Sequence, residues 1–185
     1  MKLLKITLLA LLLSNQAQAQ SNFWVLGTGF NAVDDDGRPM KNLFNLTNGW
    51  NALPIPSTFT CEKSFNYMLS VEFNQSICSY GIGNLKDGDT LTKSVFFMSD
   101  DLSAKYHFNS LYNKYKWFDP YAIGGFGVTL RAKDLIPTGS FGFGANFWIS
   151  KRFGINIQSS AKFSLSNNGS NYLQHTVGVR YKFFK

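Results

Sequence analysis

Two histidines, His107 and His175, are the chain's candidates for acid–base work near neutral pH. His175 falls close to Ser170, and a serine and histidine so placed could carry acyl transfer on a lipid. No acid at suitable spacing completes the pair, so catalysis is not expected. A second constellation is ionic. Glu72 shares an alternating polar face with Ser70, Asn74 and Ser76, and Lys105, Arg131, Lys162, Arg180 and Lys182 take the polar parity of other segments. One acid among several bases needs a partner wherever water is excluded. Lys105 or Arg180 is expected to supply it, and Glu72, Lys105, Lys162 and Arg180 form the expected interior polar network. A network that only stabilises is the first reading. A gate that opens by switching Glu72 between partners is its functional version. Asp34-Asp35-Asp36-Gly37 offers hard oxygen ligands but lacks the spacing and distal glutamate of a calcium loop, so it reads as a solvated turn. No metal and no cofactor is called for.

The elements that position these residues alternate with period two. From Leu173 to Phe184 one parity holds Leu173, His175, Val177, Val179, Tyr181 and Phe183; the other holds Gln174, Thr176, Gly178, Arg180, Lys182 and Phe184. That is a strand between two different environments. Seven more such segments precede it, near 23–33, 55–65, 68–78, 99–108, 120–131, 139–149 and 154–165. Connections near 34–54, 79–97, 132–138 and 166–171 fall on one side. Those near 66, 109–119 and 150–153 fall on the other.

The N-terminus carries Lys2 and Lys5, an apolar run from Leu8 to Leu13, and Ala17-Gln18-Ala19. This has the form of a cleavable export signal, 1–19, too short to span a bilayer. The remainder, 20–185, reads as one domain. Lysine and arginine number 18 against 11 acids, and two of those lysines lie in the leader. The remaining bases are scattered, with no basic stripe, so nucleic acid is not an expected partner. Cys61 and Cys78 would sit far out of register across a hairpin, beyond bridging distance, and are expected as free thiols.

Eight strands of about eleven residues, with long and short connections in alternation, predict an all-β fold: an eight-stranded antiparallel up-and-down transmembrane β-barrel. The rival is a soluble ligand-binding barrel with apolar faces inward. Its outer face should be charged; here the parity opposite the apolar one carries Gly27, Gly29, Gly125, Gly127, Gly142, Gly144 and Gly178 with amides and hydroxyls. Small residues suit the inside of a narrow barrel. Trp24, Phe65, Tyr67, Phe147, Tyr172 and Phe183, near strand ends, fit interfacial girdles.

Particular stretches add to this. They are Ile55-Pro56-Ser57, Trp117-Phe118-Asp119-Pro120-Tyr121 with Gly124, Gly125 and Gly127, Gly142-Phe143-Gly144-Ala145-Asn146-Phe147-Trp148, Gly154 to Ser159, and Gln174 to Val179. In order and spacing the set resembles the OmpA-like outer-membrane barrel domain common in the Bacteroidetes group. The resemblance implies a mostly monomeric barrel with a filled interior in the outer membrane of a Gram-negative bacterium. Many members continue into a peptidoglycan-binding domain, whereas this chain ends at Lys185. The expected partners are outer-membrane lipid and lipopolysaccharide. Two non-enzymatic roles stand open: a structural or accessory subunit of a larger envelope assembly with other outer-membrane proteins, or an autonomous surface barrel. In the second, the external loops would present Phe44, Trp50, Tyr80 and Leu91.

Overall fold

Alternation along each strand decides which face is buried. In β1 (Phe23–Asp34) Trp24, Leu26 and Phe30 stand exposed while Val25, Asn31 and Val33 are buried. Two-faced strands recur in β3 (Thr58–Ser64), β4 (Leu69–Tyr80), β7 (Val95–His107), β8 (Phe118–Arg131), β9 (Asp134–Trp148), β10 (Phe153–Ser164) and β11 (Tyr172–Phe184). Three short strands, β2 (Trp50–Ala52), β5 (Leu85–Lys86) and β6 (Asp89–Thr90), lie in the connections. The computed structural model describes residues 23–35, 49–86, 89–108, 117–166 and 169–184. The expected leader, Asp36-Gly37 and Phe44 lie outside the described residues.

Each long strand pairs antiparallel with the next, and β1 pairs with β11 from Phe23–Phe184 to Asp34–Leu173. The eight long strands therefore close into a barrel and leave no open edge. Closure of this kind satisfies the backbone in a medium without water. The faces are inverted relative to a soluble domain. Buried side chains are mainly polar, among them Asn31, Glu62, Glu72, Asn74, Lys105, Asn156 and Arg180. Exposed ones include Phe30, Leu102, Phe126, Phe141, Phe143, Ile157 and Phe163.

Both ends of the described chain, with the strand ends joined from β3 to β4, β7 to β8 and β9 to β10, lie at one end of the barrel; those joined from β1 to β3 and β4 to β7, by the longest connections in sequence, lie at the other, which marks it as external. Trp24, Phe65, Tyr67, Trp117, Phe153 and Phe183 are exposed around the periplasmic end. Tyr172, expected in a girdle, is instead interior.

Three connections differ from expectation. The loop expected over 34–54 contains β2, which pairs with the outer end of β1, and the second strand begins at Thr58 rather than near 55. The loop expected over 79–97 contains the small β5–β6 hairpin. The stretch 132–138 is not a loop: β8 and β9 stay paired to Arg131–Asp134 and turn through two residues, with Ala132 left-handed at φ 56°. Pro137 does not interrupt the pairing. It faces outward, its carbonyl accepts a hydrogen bond from Leu165, and buried Ile136 and Thr138 continue the alternation on either side.

Narrowness explains one pair of glycines. Gly29 and Gly178 are direct partners across the closing β1–β11 seam. A Cβ on Gly29 would lie 2.2 Å from the Val177 carbonyl oxygen and 2.4 Å from the Gly178 Cα.

The wall gives a direct test of its surroundings. Leu102 is 60% exposed in the middle of β7. Leu102→Arg is expected to lower the unfolding free energy in phospholipid vesicles by about 2–4 kcal/mol, because a cation would face hydrocarbon. Urea titration followed by tryptophan fluorescence reads this; a negligible loss would mean the wall faces water.

Candidate functional site

The middle of the lumen is built around two acids that the sheet places side by side. Glu62 and Glu72 are direct partners across β3 and β4. Like charges so placed repel, and they persist only with cations between them. β7 and β11 supply these. Lys105 Nζ lies 2.6 Å from Glu72 Oε2 and 3.1 Å from Glu62 Oε2. Arg180 bridges the same carboxylates, at 2.7 Å to Glu62 and 2.6 Å to Glu72. None of the four side chains is more than 3% exposed. Two acids and two bases balance formally, as burial of charge requires.

The quartet continues into neutral and ionic partners. Arg180 also donates to the Asn156 amide oxygen, and the Lys105 ammonium sits 4.3 Å over the Tyr121 ring. The Tyr121 hydroxyl donates to Gln158 at 2.8 Å and accepts from Asn156 at 2.7 Å. Toward the periplasm His107 Nδ1 donates to Asp119 at 3.0 Å, a carboxylate being an acceptor only, while Nε2 faces Ser70 at 2.9 Å and Glu62 at 3.4 Å. Asn146 donates to the same Asp119. At that end Lys182 lies 3.5 Å over the indole of Trp148.

Farther out, Lys162 pairs with Asp101 beside a cavity of about 10 Å³ bordered by Asn74, Ser103 and Gln158. That is room for about one water molecule. Above it the lumen is stoppered. Arg131 pairs with Asp35 at 3.1 Å and donates to Ser170, which donates to Asp35 in turn. The Tyr80 hydroxyl donates to Asp35, and the Tyr172 hydroxyl bonds Thr129. Val33, Cys78, Tyr80, Phe97 and Tyr172 pack into an apolar cluster, with Leu91 against it.

Several expected placements change. Glu72 takes both candidate partners at once. The interior holds Asp35, Glu62, Asp101 and Asp119 besides Glu72, so acids and bases are nearly balanced rather than one against many. Asp34 and Asp35 are wholly buried, not solvated. Tyr80, expected on an external surface, is wholly buried because its parity turns it inward to Asp35. Leu91 is half-buried for the same cluster's sake. Trp50 is half-buried, stacked on His175 with ring centroids 4.7 Å apart. Ser170 and His175 do not assemble: the serine is engaged inward with Asp35 and Arg131, while the histidine lies under Trp50. The two cysteines are free thiols on opposite faces. Cys61 pairs across the hairpin with Phe73, five residues from Cys78, whose thiol donates inward to the Asn51 carbonyl.

The missed residues carried a signal. Glu62 shares parity with Thr58, Thr60 and Ser64; Asp101 shares it with Ser103, Lys105 and His107. Assigning faces to the segment 55–65 finds Glu62, and extending the polar parity of the segment 99–108 by one step finds Asp101.

No protein family's sequence profile matches the chain, and no curated protein matches it. Solved structures do match. The outer membrane protein OprG from Pseudomonas aeruginosa superposes with a TM-score of 0.61 at 12% identity, over 90% of this chain and 98% of that one. Neisserial surface protein A gives 0.56 at 11% identity, over 88% and 97%. The N-terminal β-barrel domain of Pseudomonas aeruginosa OprF gives 0.55 at 11% identity, over 90% and 100%. The shared fold is the eight-stranded outer-membrane barrel. Closure, polar lumen and apolar exterior together make the chain an integral outer-membrane β-barrel.

Proposed function

We propose that the chain is a non-enzymatic, non-conducting barrel that serves as a structural or accessory subunit of a larger envelope assembly. The observation that carries this reading is the filled lumen. The Glu62–Lys105–Glu72–Arg180 quartet blocks its middle, and the Asp35–Arg131 stopper with its aromatic cluster blocks the outer mouth. A barrel so filled acts through its outer wall and loops. The ordered motifs quoted from the sequence favour an OmpA-like barrel domain of the Bacteroidetes group, a placement that rests on those residues alone.

Purification of a tagged copy from native outer membranes in mild detergent tests the subunit role. Co-purification of partners at fixed ratio is expected. Recovery alone, as a heat-modifiable monomer, would favour the autonomous surface barrel, for which Ile82, 71% exposed in the external connection 81–94, is the supporting observation. The non-conducting claim has its own check. Neither the wild type nor Glu72→Gln is expected to give discrete openings in planar bilayers, and step conductances would revive a gate based on partner switching.

A further inference from the structure

The outward wall carries a polar pair on β4 and β7. Asp100 on β7 and Gln75 on β4 are direct cross-strand partners, and both point outward. Gln75 Nε2 donates to Asp100 Oδ1 at 2.9 Å. Every outward neighbour is apolar. Ile77 and Met98 lie one step toward the outside on the same strands, and Phe73 and Leu102 one step toward the periplasm. Laterally, Phe59 of β3 is the partner of Gln75, and Val128 of β8 is the partner of Asp100.

A carboxylate in hydrocarbon is costly, and one neutral amide does not neutralise it. Its second oxygen has no hydrogen-bond partner among the described residues. The other outward positions of β4 and β7 are apolar, aromatic or small and carry no such charge. We propose that the Asp100–Gln75 island is a docking site for a different integral membrane protein, whose lipid-facing surface brings one lysine or arginine to the free oxygen of Asp100 and packs apolar side chains against Phe59, Phe73, Leu102 and Val128.

Charge and depth argue against a second copy. Among the described residues, the outward-facing lysine within the long strands is Lys63, at the periplasmic rim over Trp24. Its line of cross-strand partners runs through Val71 to Ala104, four residues short of Asp100 on β7. That is a separation of about 13 Å along the strand at about 3.3 Å per residue. Copies in one membrane share one orientation, so this offset along the wall disfavours a contact between Lys63 of one and Asp100 of another. His175, also outward, is covered by Trp50.

The inference rests on the subunit reading and specifies where the partner sits. Removing the carboxylate relieves the barrel of a cost, so Asp100→Leu is expected to fold at least as well as wild type while losing its partner. The full chain, carrying a photoreactive residue at Val128 or, as a control on the far wall, at Ile157, would be cross-linked in native outer membranes. A discrete adduct with one other membrane protein is expected from position 128 and not from 157. Asp100→Leu should reduce co-purification of that protein by about thirtyfold or more, and Asp100→Glu should largely retain it. Co-purification unchanged in Asp100→Leu would overturn the site and leave the subunit reading standing. Wild-type chain recovered alone would overturn both. An adduct of two copies, or of lipopolysaccharide, would also overturn it, since the partner claimed is a different protein.

Discussion

Glu72→Ala is expected to be the most damaging single substitution in the interior, lowering the unfolding free energy by about 3–5 kcal/mol. The reason is what stays behind. Lys105 and Arg180 would share Glu62 alone, in a lumen where neither cation is more than 3% exposed. Urea unfolding in detergent micelles or vesicles, followed by the heat-modifiable mobility shift, measures the loss. A second cycle separates burial from pairing. Removing Glu72 and Arg180 together leaves Glu62 with Lys105, a balanced pair at 3.1 Å. The double variant Glu72→Gln, Arg180→Gln should therefore be less unstable than the sum of the singles by about 1–3 kcal/mol. Additive losses would show that the four residues do not act as one electrostatic unit.

Gly29→Val is expected to prevent efficient closure. The added carbons would meet backbone, not a side chain that could swing away: the Val177 carbonyl oxygen and the Gly178 Cα both lie within 2.4 Å of the ideal Cβ. The seam would have to part where β1 meets β11. Overpacking of a well-fitted interior costs about 1–3 kcal/mol and occasionally more; with rigid backbone on both sides, about 3 kcal/mol or more is expected here. The readout is the fraction of chain that reaches the compact, heat-modifiable form after dilution from urea into vesicles. Gly139→Val is the control, since a Cβ there meets only the far end of Leu165 at 3.9 Å. Equal folding yields for the two variants would remove the claim that the seam is sterically tight.

Most of the barrel could be read from the chain because one rule, alternation, serves every strand. It located eight strands, the inward faces of most of them and the direction of Glu72. It misread places where a local signal competes with tertiary pairing. The stretch 132–138 read as a loop, yet the β8–β9 hairpin runs through it because Ile136 and Thr138 still have an interior to fill. Tyr172 looked like a girdle aromatic because it lies near a strand end, and Tyr80 looked like a residue presented by an external loop. In the structure they find Asp35, Thr129 and each other's neighbour Phe97 inside. No sequence periodicity announces such a stopper, which depends on five strands converging at one mouth. Three of the quartet's four members were legible. The parity of Lys105 and Arg180 was evident, but Glu62 belongs to a strand whose start was placed too early and whose faces went unassigned. The Asp100–Gln75 island was invisible for a related reason: each residue alone is an ordinary polar residue, and only the cross-strand register makes them a pair.

The seam that joins β1 to β11 also governs when this molecule can exist. Gln174 donates to Asn31 across 143 residues of sequence, so the first strand must wait for the last. Contacts of such long range make folding slow. Until β11 arrives, β1 and β10 each present an unpaired edge able to recruit any other extended chain. A chain truncated before Tyr172 would thus be a sheet with two adhesive borders rather than a smaller barrel. Its fate between synthesis and insertion depends on being held apart from its own kind until the final strand is delivered.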